Sequence, residues 1–189
     1  FAKRRNVSGY AKCNIRQNHT TKLMIEIIDW SQDIYDGMPI FNGLPDVRIG
    51  VYATHEEWEG IENPETKTPS VLKMELGEHT GTHVDALNHM GKQYVGQSID
   101  TMPLSMFYTE GLCLDFTHKG LSELITSYEI DASLKNAGLT IKKGDTILLC
   151  TNHFKNFFGT DNWRNGPGIT AEAAYWLGKK EIAAFGVET

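Results

Sequence analysis

Four side chains in one short stretch have the types and spacing to hold and work a metal ion. They are His79, His83, Asp85 and His89, spaced H-x3-H-x-D-x3-H within HTGTHVDALNHM. Imidazole and carboxylate together suit a borderline cation such as Zn²⁺ or Mn²⁺. On a helix His79 and His83 would share a face, but Asp85 would point away from them. Gly81 and the β-branched Thr80, Thr82 and Val84 also disfavour a helix. On a strand all four residues share one parity and project to one side. A straight strand, however, separates His79 from His83 by about 13 Å, too far for one ion bound at about 2.1 Å per ligand. The spacing therefore predicts a bend, and Gly81 is the residue that permits it at little steric cost. Asp85 then lies about 7 Å along the backbone from His83, within side-chain reach of a shared ion.

Such a cation lowers the pKa of bound water toward 7, so hydroxide forms at neutral pH and can attack an amide, lactam, ester or lactone carbonyl. His89 lies close enough in sequence to stand beside the metal without binding it. An imidazole suits proton transfer to a leaving nitrogen or oxygen. Thr82 could hydrogen-bond a water or ligand there, or bond the local backbone. Other readings fit the same residues. Four protein ligands closing a tetrahedron would make a non-catalytic metal-binding module. The same ion used as a Lewis acid would serve a lyase or dehydratase. Unrelated surface and core histidines are the bland alternative.

The stretch resembles the H-x-G-T-H-x-D-x-P-x-H signature of the cyclase-like metal-dependent hydrolases, which include arylformamidase-type enzymes. Agreement holds at His79, Gly81, Thr82, His83, Asp85 and His89; Leu87 stands where that family usually has proline. The resemblance runs from about Met24 to Thr189. It takes in an opening strand with a Tyr-x-Gly-Met-Pro turn, GPGITAEAAYWL, and IAAFGVET, where relatives usually have aspartate at Glu188. It implies that His79, His83 and Asp85 bind metal and that His89 is the catalytic acid/base. It also implies hydrolysis of C–N bonds other than peptide bonds in a small, possibly aromatic substrate, and a homodimer or homotetramer. Phe41 stands where the family would have an aromatic wall of the substrate pocket, although a core position suits it equally. Trp58 could fold over a substrate or anchor its loop. Family members carry a further histidine and glutamate beyond the last strand seen here. The expectation is thus a truncated chain with a weak, mononuclear three-ligand site.

The elements that must position these groups can be read in outline. The 189 residues suit one domain with a sizeable core. Residues 1–23 carry six basic and no acidic side chains, leaving twelve basic against 24 acidic in the rest. This leader is expected to be foreign or disordered, with the hydrolase domain at 24–189. The acidic body speaks against a nucleic-acid partner. No apolar run approaches the roughly 20 residues needed to span a membrane. Cys13, Cys113 and Cys150 form no C-x-x-C pair; the last two sit in apolar runs, which predicts buried thiols in a reducing, cytoplasmic setting. Strands are expected at Ile25–Ile28, Val47–Tyr52, Ser70–Leu76 (one face buried), Gly111–Phe116, Thr146–Cys150 and Ile182–Val187. Helices are expected from an Asp131 cap to Gly138 and from a Thr170 cap to Gly178. His118 reads as part of a solvated turn. Residues 55–69 and 151–168 read as loops that border the pocket. The pattern is α/β, a mixed sheet or partly closed barrel with peripheral helices. The resemblance implies a swivelling β/β/α architecture.

Overall fold

The computed structural model describes residues 27–58 and 69–188. The leader and residues 59–68 lie outside the described residues. The chain divides into two compact units, Phe1–Trp30 and Ser31–Thr189. The described part of the first, residues 27–30, has no regular secondary structure, so Ile27 and Ile28 are not in a strand; the other half of the expected first strand lies outside the described residues.

The second unit is α/β, with parallel and antiparallel pairing. β1 (Arg48–Ala53) pairs antiparallel with β2 (Val71–Glu75). β3 (Gly111–Asp115), β5 (Thr146–Cys150) and β7 (Ala184–Gly186) form a parallel sheet in the order β3-β5-β7. The two-residue strands β4 (Leu124–Ile125) and β6 (Gly168–Ile169) pair in parallel beside it. The described sheets are open, and no barrel closes. The helices are α1 (Leu87–Met90), α2 (Ser127–Ala137), α3 (His153–Phe157) and α4 (Ala171–Lys179). No helix among the described residues is long and apolar enough to cross a membrane.

The core is the face of the parallel sheet that α2 and α4 cover. Alternate side chains Leu114 and Phe116, and Ile147 and Leu149, meet Ile130 and Leu134 of α2 and Ala173 and Leu177 of α4. The period of two on the strands and of three to four on the helices sets this seam. Strand parity then sends Cys113 and Cys150 to the other face. Cys113 is exposed and Cys150 half-buried, which corrects the expectation of two buried thiols. Desolvation, followed by the charge of Glu188, still pushes both thiols above their ordinary range.

β2 also departs from expectation. Its alternation predicts one buried face, yet every residue is exposed, Leu72 at 57% and Met74 at 53%. Among the described residues β1 is its sole strand partner, and no second layer buries either face. Helix ends follow capping chemistry more closely. Thr126, not Asp131, caps α2, through a capping box in which the Thr126 hydroxyl accepts from Glu129 N and the Glu129 carboxylate accepts from Thr126 N. Asp131 sits one turn inside and pairs with Lys135. Gly138 ends the helix in the left-handed conformation. Thr170 caps α4 as expected, accepting from Ala173 N, and that helix runs one residue past Gly178. His118 is exposed in a turn after β3.

Glu129 also takes Lys119 Nζ at 2.6 Å. Its hydrogen bond to Lys119 first, and those to Thr126 next, hold its carboxyl at about 2. A carboxyl depressed by folding contributes stability above its unfolded pKa, and that contribution fades as pH falls through the folded value. Glu129→Gln should therefore melt lower than the parent at pH 6. The gap should close as pH falls from about 4.5 to about 2, which thermal melts across that range will measure.

Candidate active site

The motif makes its bend at Gly81. Residues 78–82 form turns and bends rather than strand, and Gly81 has a φ of +67°. Common strand parity is therefore not what gathers the four side chains; the turn is. A Cβ at Gly81 would stand 3.2 Å from Ile34 Cγ1, so conformation and space both call for glycine.

The turn brings three ligand atoms together. His79 Nδ1 lies 2.8 Å from Asp85 Oδ1 and 3.2 Å from His83 Nε2, and His83 Nε2 lies 3.5 Å from the same carboxylate oxygen. These donors all fall within 4.8 Å of one another. The opposite ring nitrogens have partners of their own. His83 Nδ1–H donates to the Gly81 carbonyl at 2.8 Å, which leaves Nε2 as the ring nitrogen turned to the other two donors. His79 Nε2 faces Glu78 Oε1 at 3.6 Å. A histidine whose far nitrogen is held by a carbonyl or carboxylate is the usual form of a metal ligand.

His89 comes from α1 and stands beside this group. Its ring lies 4.2 Å from that of His79, and its Nε2 is 4.0 Å from Asp85 Oδ2. Glu78, His79 and His89 also fall within 4.8 Å of one another. That second group shares His79 and draws on Glu78, whose side chain is largely in water, so the His79, His83 and Asp85 set is the better-built one. Leu87 opens α1 as its first residue. Proline is tolerated at that position because its missing N–H has no helical partner there. Leucine in its place therefore keeps the same helical turn, and His89 reaches the site.

A cavity of about 310 Å³ opens over these side chains. Its lining includes His79, Thr80, Gly81, His83, Asp85 and His89 of the motif and the apolar Met38, Pro39, Ile40, Phe41 and Leu44 of the opening segment. That segment is tied to β1, since Gly37 N donates to Val47 O and Asp36 Oδ1 accepts from Ile49 N. Phe41 is thus brought to the cavity. Trp58 ends a short 3₁₀ turn, Glu56–Trp58, and its side chain lies outside the described residues. Thr82 turns elsewhere, its hydroxyl accepting from Gln32 N at 2.9 Å.

Three lining residues have no local sequence signal. Gln32 comes from the opening segment, and Phe158 and Trp163 come from the loop after β5. The aromatic richness of residues 151–168 hints at a wall but does not choose its members. Trp163 stacks on buried His153 at 5.4 Å and meets Phe158 edge-on at 5.2 Å. The His153 Nε2–H donates to the Trp163 carbonyl at 2.6 Å. Glu188 anchors the start of this loop: its carboxylate accepts from the backbone N–H groups of Thr151, Asn152 and Phe154. The Gln32 amide nitrogen is buried, with no hydrogen-bond partner among the described residues. An orphaned buried donor costs about 1–3 kcal/mol.

Comparison with known proteins places the chain in a family. The model of the Cyclase family, described as "Putative cyclase", matches residues 28–189, and the chain belongs to this family. Among solved structures, an isatin hydrolase bound to the product analogue thioisatinate aligns with a TM-score of 0.70 at 23% identity, over 85% of this chain and 65% of that one. Isatin hydrolase A from Ralstonia solanacearum aligns at 0.65 and 26% identity, over 86% of this chain and 66% of that one. A structure described as a potential metal-dependent hydrolase with cyclase activity aligns at 0.57 and 25% identity, over 83% and 64%. The chain thus spans a little under two thirds of the length of these relatives. No curated protein matches its sequence.

If His79, His83 and Asp85 act as one ligand set, losing one imidazole should cost most of the affinity. His83→Ala should weaken zinc or manganese binding at least about tenfold. Titration calorimetry on the parent and the variant will read this directly.

Proposed function

We propose that this chain is a metal-dependent hydrolase that opens an amide, lactam or ester bond in a small aromatic substrate. The observation that carries the reading is the convergence of His79 Nδ1, His83 Nε2 and Asp85 Oδ1 in a cavity that Phe41, Phe158 and Trp163 also line. Two imidazoles and a carboxylate fit a divalent cation, with zinc and manganese the candidates for this donor set. Bound there, the cation supplies acidified water at neutral pH and polarises a carbonyl. The relatives described as isatin hydrolases and as a potential metal-dependent hydrolase support the same reaction class.

The remaining work falls to the protein's own side chains. The Gly81 carbonyl orients the His83 imidazole through its far nitrogen. His89 stands next to the ligand set, on the cavity side, and is our acid/base: it moves a proton to the leaving nitrogen or oxygen. Phe41, Phe158 and Trp163 hold a flat substrate and keep water from its far face.

Metal analysis of the purified protein, followed by a screen of isatin, N-formyl aromatics and aryl lactones with and without a chelator, tests this reading. Metal-dependent turnover of at least one class is expected. His89→Ala should keep its metal and lose about 10²–10⁴ in rate. Turnover that a chelator leaves untouched would contradict the proposal, as would loss of metal in the His89 variant.

A further inference from the structure

Gln32 occupies a place that its local structure does not explain. Its backbone N–H is committed to Thr82 Oγ1, which fixes it beside the HTGTH turn. Its side chain lines the same cavity as His79, His83 and His89. Its Nε2 is shut off from solvent and bonds to nothing among the described residues, and it is the one buried side-chain nitrogen or oxygen there without a partner. Folded proteins rarely leave such a donor orphaned, and those they do leave call for a reason. Here no existing bond has to break before the amide turns onto an acceptor in the cavity.

We propose that Gln32 is a catalytic residue whose Nε2–H donates to the substrate's carbonyl oxygen as charge develops on it. This rests on the hydrolase reading above. As water adds to the carbonyl carbon, His89 takes its proton, a C–O bond forms and the C=O π pair moves onto oxygen. That oxygen becomes the acceptor the Gln32 amide lacks. Collapse then re-forms C=O, breaks the C–N or C–O bond, and the leaving atom takes a proton from His89. The donor sits unpaired at the cavity's edge, so it has only to turn onto the developing charge and gives up no existing bond when it does. A hydroxyl or carboxylate at position 32 would be unsuitable for different reasons, the first by reach and the second because it cannot donate.

The test uses the full chain loaded with its metal, with isatin and N-formylaniline as probes. Gln32→Leu should lower kcat by about 10²-fold with little change in KM, because the bond matters chiefly in the transition state. It should also keep its metal and melt at the parent temperature or about 2–4 °C higher, since an orphaned polar group has been removed. Gln32→Glu should lose kcat to a similar extent, because a carboxylate accepts and does not donate. Full activity in either variant would overturn the assignment. So would a Gln32→Leu protein that loses stability together with activity, the mark of a structural role. A parent chain that turns over neither probe, nor an aryl lactone, with any divalent cation would overturn the hydrolase reading and this assignment with it. An active parent with an equally active Gln32→Leu variant would overturn this assignment alone.

Discussion

The left-handed turn at Gly81 is the constraint on which the site depends. It reverses the chain tightly enough for His79 and His83, four residues apart, to meet at ring-nitrogen distance. The same turn supplies the carbonyl that holds His83 by its far nitrogen. Its next residue, Thr82, accepts the backbone N–H of Gln32 and so pins the opening segment against the motif. A side chain at position 81 would meet Ile34 of that segment and would be strained at this φ. One backbone conformation thus sets the ligand geometry and one flank of the cavity together.

The opposite flank is set by a different structure. β5 leaves the core and passes into α3 through Asn152, whose φ is +57°. Three backbone N–H groups in this passage converge on the Glu188 carboxylate, two residues past β7. Beyond it, buried His153 holds Trp163 by both stacking and a hydrogen bond. Gly166 packs against His153 so closely that an added Cβ would stand 3.0 Å from its ring. The aromatic wall is therefore tied to the parallel sheet, while the polar floor hangs on a turn. Functional loops carried by a rigid scaffold are a common arrangement.

Much of this was legible in the sequence because the deciding interactions are local. The need for a bend at Gly81 follows from ligand reach alone, and the caps at Thr170 and Gly138 follow from hydroxyl and glycine chemistry within one turn. Where long-range packing decides, local pattern carries less information. The alternation in β2 marks a strand correctly but cannot say whether anything covers it. The apolar run of β5 does not reveal that its Cys150 lies on the less covered face. Gln32, Phe158 and Trp163 reach the cavity from segments more than a hundred residues apart, and no periodicity links them. The capping box of Thr126 and Glu129 was legible in principle, since Thr-x-x-Glu is its signature, and Asp131 was the wrong choice one turn further on.

X-ray absorption at the metal edge of the zinc- or manganese-loaded protein reads the ligand set itself. Two histidine rings are expected in the outer-shell scattering, with carboxylate and water oxygens completing the inner shell at about 2.0–2.2 Å. Three histidine rings would place His89 on the metal and contradict its role as a free acid/base. An all-oxygen shell would contradict the site itself.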